Sequence, residues 1–261
     1  MNHDVTPDGS SLTPHPRPLS PEYRGEGSIG AEEIHVWAVP LCVAPAELPR
    51  LAGLLSDSER ERAARYLYAK DREQFTITRA RLRLLLGRYL GIDPTRIEFG
   101  SSNTGKPTLP GTTLSFNVSH TQGLALIALT EGRELGVDVE RIRTYPTHLD
   151  MATRYFTPGE SRRLNTLLPT ESERAFFHVW TRKEAFLKAI GLGLSHGLER
   201  FEVSVPPDDP CRLLHIDGDA TVAAGWTLMN LELEAGYVGA LAVEGTGYRV
   251  EVRGWTISPG S

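Results

Sequence analysis

Hydrophobic and polar residues follow two different patterns along this chain, and the change between them lies near residue 32. Residues 1–32 are rich in Pro, Ser, Gly and acidic residues and show almost no apolar periodicity. This composition is typical of a disordered extension, which we expect to stay outside the fold. From Glu33 onward, apolar residues recur first with a period of two and then with helical spacing. The folded part is therefore predicted to begin at residue 33.

The longest helical pattern covers residues 72–90 and ends at Gly91, a residue type that commonly terminates helices. Arginines occupy several of its polar positions, namely Arg79, Arg81, Arg83 and Arg88. Such a row usually forms a solvated face, and a phosphate ligand among these arginines is the alternative. Short β-type runs bounded by Gly, Asn and Asp follow at residues 114–118, 124–129 and 135–139.

The rest of the chain, from about Arg141, repeats this order of elements. Helical patterns cover residues 145–155, 157–168 and 171–190, and β-type runs lie near residues 201–205, 212–216, 226–234, 237–243 and 248–256. Helices followed by consecutive strands, twice in one chain, predict an α+β fold made of two α+β subdomains with mainly antiparallel sheets. The predicted subdomains are residues 33–140 and 141–257.

Composition and charge exclude several classes of protein. The 261 residues, 40% of them hydrophobic, are enough for one large core or two modest ones. The net charge of −5 provides no overall basic field for nucleic acid or for an anionic membrane. The apolar runs are shorter than the roughly 18 to 20 residues that span a bilayer, and no secretory signal is visible, so we expect a cytoplasmic protein. Cys42 and Cys211 support neither a disulfide framework nor a zinc site.

The first candidate site is the β-type run that contains Asp138 and Glu140. Because side chains alternate along a strand, these two carboxylates share one face. Paired oxygen ligands that leave room for water and phosphate suit Mg²⁺. A solvated sheet edge is the alternative, and for this motif taken alone it is the more common situation.

The second candidate site lies in the helical stretch 171–190. Glu184 interrupts its apolar stripe, between Trp180 and Leu187, so a carboxylate occupies a face that apolar side chains would otherwise complete. Lys188 follows one turn later. An ordinary ion pair between Glu184 and Lys188 is worth only about 0.3 kcal/mol. The same pair also places an ammonium beside a metal-binding carboxylate, which suits phosphoryl chemistry.

Two shorter motifs precede these sites. Residues 100–107 match a Walker A loop up to Lys106, but Pro107 stands where that loop needs Ser or Thr, which disfavours a P-loop NTPase. The turn still presents Lys106 as a cation. Ser119 and His120 end a β-type run, where neighbouring side chains point to opposite faces, and the chain has no G-x-S-x-G motif. A hydrolase is therefore disfavoured, and both residues suit hydrogen bonding to a phosphate.

The order of the motifs resembles that of the 4′-phosphopantetheinyl transferase superfamily, in its longer form of two fused pseudo-repeats. The resemblance covers about residues 34–245 and rests on these motifs: Gly105-Lys106-Pro107, Asn117-Val118-Ser119-His120, Gly136-Val137-Asp138-Val139-Glu140, and the W-x-x-K-E-x-x-x-K stretch from Trp180 to Lys188. It implies a monomer of two pseudo-symmetric α+β subdomains, with coenzyme A bound in the cleft between them.

The resemblance also implies a reaction and a role for each matched residue. The reaction moves the phosphopantetheine arm of coenzyme A to a serine of an apo acyl or peptidyl carrier protein and releases adenosine 3′,5′-bisphosphate. Asp138, Glu140 and Glu184 match Mg²⁺ ligands, and Lys188 matches the lysine at the attacked phosphate. Glu184, or a water that it orients, would be the base. The matched coenzyme A contacts are Lys106 near the adenine and Ser119, His120 and Arg62 near the 3′-phosphate.

Two other functions compete with this one: a homologue that binds coenzyme A without transferring the arm, and a metal-dependent nucleotide phosphatase. The sequence leaves open which carrier protein and pathway are served, the role of the extension, and the choice between Mg²⁺ and Mn²⁺.

Overall fold

The computed structural model describes residues 29–193, 197–206 and 210–257. Residues 1–28 of the predicted extension lie outside the described residues. The boundary at residue 32 needs a correction, because Ile29 is buried and packs in the first hydrophobic core. A single isoleucine among polar neighbours has no periodicity, so the pattern places the start of the fold too late.

Helices and strands are grouped along the chain, in agreement with the α+β fold predicted from the sequence. The strands are β1 (Glu33–Pro40), β2 (Gly100–Ser101), β3 (Pro107–Thr108), β4 (Leu114–Thr121), β5 (Leu124–Glu131), β6 (Leu135–Arg141), β7 (Phe201–Val203), β8 (Leu213–Ile216), β9 (Trp226–Leu231), β10 (Tyr237–Glu244) and β11 (Arg249–Gly254). The helices are α1 (Leu48–Gly53), α2 (Asp57–Ala64), α3 (Ala69–Leu90), α4 (His148–Tyr155), α5 (Pro158–Asn165), α6 (Pro169–Ala189) and α7 (Ala220–Ala223). Among the described residues, none of these helices combines the length and apolar character of a membrane span.

Two main sheets share one connectivity, which confirms the predicted pseudo-repeat. Their strand orders are β11-β1-β5-β4 and β6-β10-β9. In each repeat a first strand leads through helices to two antiparallel strands, and it pairs with the second of them. The second repeat therefore begins with β6, at Leu135 and not at residue 141 as predicted. The apolar pattern of β6 does not indicate which sheet the strand joins. Its pairing with β10 assigns it to the second sheet.

The last strand also departs from the predicted division. Strand β11 lies in the half predicted as 141–257, yet it pairs in parallel with β1 at the edge of the first sheet. A strand's own residues do not encode which distant strand it joins, so the pattern predicts β11 but not its sheet.

Three hydrophobic cores hold the helices and the two main sheets together. The first lies between α3 and one face of the first sheet, the second lies around α6 and the second sheet, and the third lies between the two sheets. Strand β6 contributes to two of these layers. Val137 and Val139 pack in the inter-sheet core, whereas the alternate positions face α6, so this strand brings polar residues to the layer between sheet and helix.

Helix α3 buries arginines that the pattern places in solvent. Arg83 is 2% exposed and donates to Glu59 Oε2 at 2.7 Å. Glu59 also pairs with Arg79 and closes the capping box of α2 with Ser56. Arg81 is buried as well and donates to the carbonyl of Pro40. The expectation of a solvated face is wrong for Arg81 and Arg83. Glu59 and the carbonyls of Pro94 and Ile97 surround Arg83, whereas Arg81 reaches the end of β1 at Pro40.

Candidate active site

Strand β6 and helix α6 come into direct backbone contact at Gly136. A Cβ at this position would meet the carbonyl oxygen of Ala185 and the amide nitrogen of Ala189, so glycine allows an approach that other residues prevent. The next alternate positions of β6 face the same helix. This contact brings together the predicted site residues Asp138, Glu140, Glu184 and Lys188.

Asp138 lies at the centre of the cluster. Its Oδ1 accepts hydrogen bonds from Lys188 Nζ at 2.6 Å and from Ser119 Oγ at 2.7 Å, and Lys188 Nζ also donates to Ser119 Oγ at 2.9 Å. Its Oδ2 is buried and has no hydrogen-bond partner. Buried carboxylate oxygens are almost always paired, so this orphaned atom marks a place for a ligand.

The carboxylates of the cluster repel one another. Burial, together with the charges of Asp138 and Glu140 against the opposing Lys188, raises the pKa of Glu184 to about 7. Burial and the charge of Asp138 also raise the pKa of Glu140, although Arg143 and Thr121 oppose that rise. A group that binds all three carboxylates in their charged form must therefore bring positive charge.

The donor chemistry of these residues fits a hard divalent cation. Carboxylate oxygens are the ligands that Mg²⁺ prefers, and Asp138 Oδ2 is free to provide one. The geometry is not that of a closed metal cage: across residues 29–193, 197–206 and 210–257, no three His, Cys, Asp or Glu side chains are arranged to hold a metal. Glu140 Oε2 instead accepts from Thr121 at 3.3 Å and from Arg143 at 3.4 Å.

A groove beside this cluster brings Arg62 and His120 together. Both residues line a cavity of about 230 Å³, with Phe75 and Asn117 on its wall. The guanidinium of Arg62 lies 5.3 Å from the ring centroid of Phe75. Desolvation, followed by the charge of Lys188, lowers the pKa of His120. The groove is therefore lined by two arginines, Arg62 and Arg79, and by one imidazole.

Ser119 and Lys106 make contacts within the protein that the sequence does not reveal. The hydroxyl of Ser119 is directed at Asp138 and Lys188, as described above. Lys106 Nζ donates to Glu134 Oε2 at 2.6 Å and to the carbonyls of Leu135 and Ala189 at 2.9 Å each. Lys106 thus connects the β2–β3 turn to the start of β6 and the end of α6. It also lines a cavity of about 440 Å³ beside that turn.

A buried ion pair that the sequence does not reveal lies next to the cluster. Lys183, adjacent to Glu184, is fully buried and lies 2.9 Å from the buried carboxylate of Glu160. Its Nζ also donates to the carbonyls of Leu198 and Phe201. Glu160 closes a capping box with Thr157 at the start of α5. The Thr157-x-x-Glu160 spacing is a recognisable cap in the sequence, but nothing in it indicates a lysine partner.

Two family models match the chain and together cover most of it. The model described as 4′-phosphopantetheinyl transferase superfamily matches residues 134–242, and the one described as 4′-phosphopantetheinyl transferase, N-terminal, matches residues 44–131. The chain is 36% identical over 223 residues to 4′-phosphopantetheinyl transferase HetI of Nostoc sp., covering 84% of this chain and 91% of that protein. It is 29% identical to 4′-phosphopantetheinyl transferase Sfp of Bacillus subtilis, over 67% and 74% of the two chains. This protein therefore belongs to the 4′-phosphopantetheinyl transferase superfamily.

Proposed function

We propose that this protein transfers the 4′-phosphopantetheine arm of coenzyme A to a serine of an apo acyl or peptidyl carrier protein, with Mg²⁺, and releases adenosine 3′,5′-bisphosphate. The observation that carries the proposal is the meeting of β6 and α6, where Lys188 bonds Asp138 and Glu184 lies within the field of Asp138 and Glu140. The names of the relatives, all 4′-phosphopantetheinyl transferases, support the same reaction.

Each cluster residue has a task in this reaction. Asp138, Glu140 and Glu184 would hold Mg²⁺, which when bound supplies positive charge to the pyrophosphate oxygens. Lys188 reaches the same region from α6 and neutralises charge on the attacked phosphate. Arg62 and His120 bind the 3′-phosphate from the groove that both line. Lys106 lies beside the neighbouring 440 Å³ cavity, where we place the adenine.

The bond changes are those of a phosphoryl transfer. The serine oxygen of the carrier forms a bond to the phosphorus that carries the pantetheine arm, and the bond from this phosphorus to the bridging oxygen breaks. The electron pair leaves with adenosine 3′,5′-bisphosphate. The serine proton goes to Glu184 or to a water that Glu184 orients. This chemistry needs mainly positioning and charge neutralisation, which an acidic protein provides here with a few local cations.

The role of Glu184 is tested by Glu184→Gln. The variant loses an anionic ligand and a base while keeping its shape, so we expect transfer to fall by at least about 100-fold. Coenzyme A binding should persist, because the nucleotide contacts lie elsewhere. The assay weighs an apo carrier protein after incubation with coenzyme A and Mg²⁺. Glu171→Gln, in the exposed first turn of the same helix, is the matched control. Normal transfer by Glu184→Gln would overturn the assignment.

The same assay separates the competing functions. A carrier that gains the mass of one phosphopantetheine indicates transfer. Hydrolysis of coenzyme A without such a gain would indicate a phosphatase, and binding of coenzyme A with neither outcome would indicate a homologue that has lost the chemistry.

A further inference from the structure

Strands β4 and β6 belong to different sheets, yet side chains join them in place of a backbone ladder. Side-chain oxygens of β4 accept hydrogen bonds from backbone N–H groups of β6. Asn117 accepts from Val137 at 3.0 Å, Ser119 from Val139 at 3.4 Å and Thr121 from Arg141 at 3.3 Å. Every one of these bonds spans 20 residues of the chain, so the two strands run in parallel and in fixed register. We call Asn117, Ser119 and Thr121 the polar ladder.

The polar ladder occupies positions where apolar residues are expected. In the register of β4 with β5, its members lie opposite residues that pack in the inter-sheet core, namely Ala128, Leu126 and Leu124. Asn117 itself is 8% exposed, and Val137 is fully buried. Without the Asn117 oxygen, the N–H of Val137 would be buried without an acceptor, an arrangement that costs about 1 to 3 kcal/mol. Bonding to β6 accounts for polar residues on this face.

We propose that Asn117 is a positioning residue for the catalytic carboxylates. It fixes the backbone of β6 at Val137, the residue before Asp138, and so determines where Asp138 meets Lys188. Ser119 and Thr121 also form hydrogen bonds with Asp138 and Glu140. Substituting either of them would therefore remove a direct contact with a carboxylate as well as the bond to the β6 backbone. The bond from Val137 to Asn117 acts through the β6 backbone, and it is the rung that can be altered without removing a contact to a carboxylate of the cluster.

This positioning role rests on the proposed function, since it concerns the orientation of the residues that would bind Mg²⁺ and the phosphate. Groups that orient metal ligands typically change metal affinity or activity by about 10- to 100-fold when they are removed. Asn117→Leu keeps the branching and the number of heavy atoms of the side chain and removes the acceptor. We expect it to lower kcat by about 10-fold or more and to raise the Mg²⁺ concentration for half-maximal activity.

Conservative rescue distinguishes positioning from packing. Ser119 and Thr121 show that a hydroxyl can accept the β6 N–H at this strand spacing. We therefore expect Asn117→Thr to retain kcat within about 3-fold of wild type, because the acceptor is kept. A defect as large as that of Asn117→Leu would show that the acceptor is irrelevant.

A readout independent of activity follows the Val137 amide by hydrogen exchange. Asn117→Leu should accelerate exchange at Val137 by about 10-fold or more, because the N–H loses its acceptor. The matched control is Thr130→Val: Thr130 is fully buried on β5 and donates to the carbonyl of Glu33, away from β6. It removes a buried hydrogen bond of the same sheet, and the Val137 amide, kcat and the Mg²⁺ requirement should stay unchanged.

The outcomes separate the two proposals. Wild-type kcat and Mg²⁺ dependence in Asn117→Leu, despite faster exchange at Val137, would overturn the positioning role. Equal losses in Asn117→Leu and Thr130→Val would do the same, since they would reflect stability alone. Wild-type protein that fails to modify any carrier, but shows the expected exchange pattern, would overturn the proposed function and not the hydrogen bond.

Discussion

Lys183 and Glu184 are neighbours in the sequence but lie on different sides of α6, and they have different partners. Glu184 faces the carboxylates of β6, where its pKa is raised to about 7. Lys183 is fully buried on the other side, paired with Glu160, and its Nζ lies 4.4 Å from the ring centroid of Phe201. We therefore expect Glu184 to serve the proposed reaction and Lys183 to hold the helix that carries it.

Breaking the Lys183–Glu160 pair should destabilise the fold strongly. Lys183→Met leaves a buried, uncompensated carboxylate, and Glu160→Gln leaves a buried ammonium, so each should lower the free energy of unfolding by about 3 to 5 kcal/mol. The double variant should recover part of the loss, because neither charge remains. Chemical denaturation measures these values, with Lys70→Met at an exposed position as the control. Losses below about 1 kcal/mol in both single variants would contradict the assigned role.

His178 should make the stability of the protein sensitive to acid. Burial, followed by the charges of Arg182 and Arg174, lowers its pKa to about 4, while a hydrogen bond with Asn230 opposes the shift. The unfolded chain, with a histidine pKa near 6.5, takes up the proton first as the pH falls. Stability from the neutral ring is thus complete above about pH 6.5 and is lost progressively down to about pH 4.

The measurement compares wild type with His178→Gln in denaturation experiments at several pH values. Between about pH 7 and 4.5, wild type should lose about 1 to 2 kcal/mol more than the variant, a range reduced for the partial exposure of the ring. Parallel pH curves for the two proteins would show that His178 does not titrate as expected.

At the scale of elements, the contact between β6 and α6 is what builds the site. Gly136→Ala places a methyl group against the backbone of α6. Helix or strand must then shift, and a displacement of about 1 Å between reacting groups can lower activity by about 100-fold. Overpacking should also lower the free energy of unfolding by about 1 to 3 kcal/mol. Gly53→Ala, with open space around its Cβ, is the control for steady-state kinetics, and unchanged kcat in Gly136→Ala would contradict the close contact.

Most elements were predictable from the sequence, because helices and strands record their own burial in their periodicity. The end of α3 at Gly91, with a φ of 66°, follows from a local rule. Burial of Arg83 does not, because it depends on Glu59 and the elements that cover α3. The pairing of β11 with β1 likewise depends on residues more than 200 positions apart. Information that resides in a distant partner is absent from a local pattern.

For the site, the sequence predicted Asp138 and Glu140 from their alternate spacing on one strand and Glu184 from its place in an apolar stripe. Lys188 follows Glu184 by one helical turn, and the structure brings these residues together. The contacts of Ser119 and Lys106 with other protein groups were not predictable, since a hydroxyl or an ammonium has the same residue identity whether it faces a ligand or a carbonyl. The contact of Gly136 with α6 and the hydrogen bond of Asn117 with Val137 were not predicted either, although both residues belong to the motifs that carry the family resemblance.

At the scale of the whole molecule, the end of the chain returns to the first repeat. After β11, Trp255 packs edge-on against Trp37 at 6.2 Å between centroids, with the guanidinium of Arg81 at 5.2 Å from its ring. Ile257 is 3% exposed in the first core. The second repeat is thus enclosed between β5 and β11 along the chain, both of which belong to the first sheet, so the two repeats should unfold together.

This return predicts that substitutions at the end of the chain affect the distant site. Trp255→Ala combined with Ile257→Ala removes two apolar side chains from the first core, and we expect the free energy of unfolding to fall by at least about 4 kcal/mol. The total free energy of unfolding of such a protein is about 5 to 15 kcal/mol, so this loss should lower Tm clearly. Val252→Ser, on the exposed face of β11, should stay within about 0.5 kcal/mol of wild type.

The coupling between repeats is tested by following two signals during heating of the double variant. Near-ultraviolet circular dichroism reports packing around the aromatic residues of both repeats, and residual transfer activity reports the cluster at β6 and α6. The midpoints of both signals should move to lower temperature by the same amount. The site combines β4 of the first sheet with β6 and α6 of the second repeat, so it is lost when the first sheet unfolds. Activity that survives beyond loss of the dichroism signal would show that the second repeat keeps its structure alone, against the enclosure by β5 and β11.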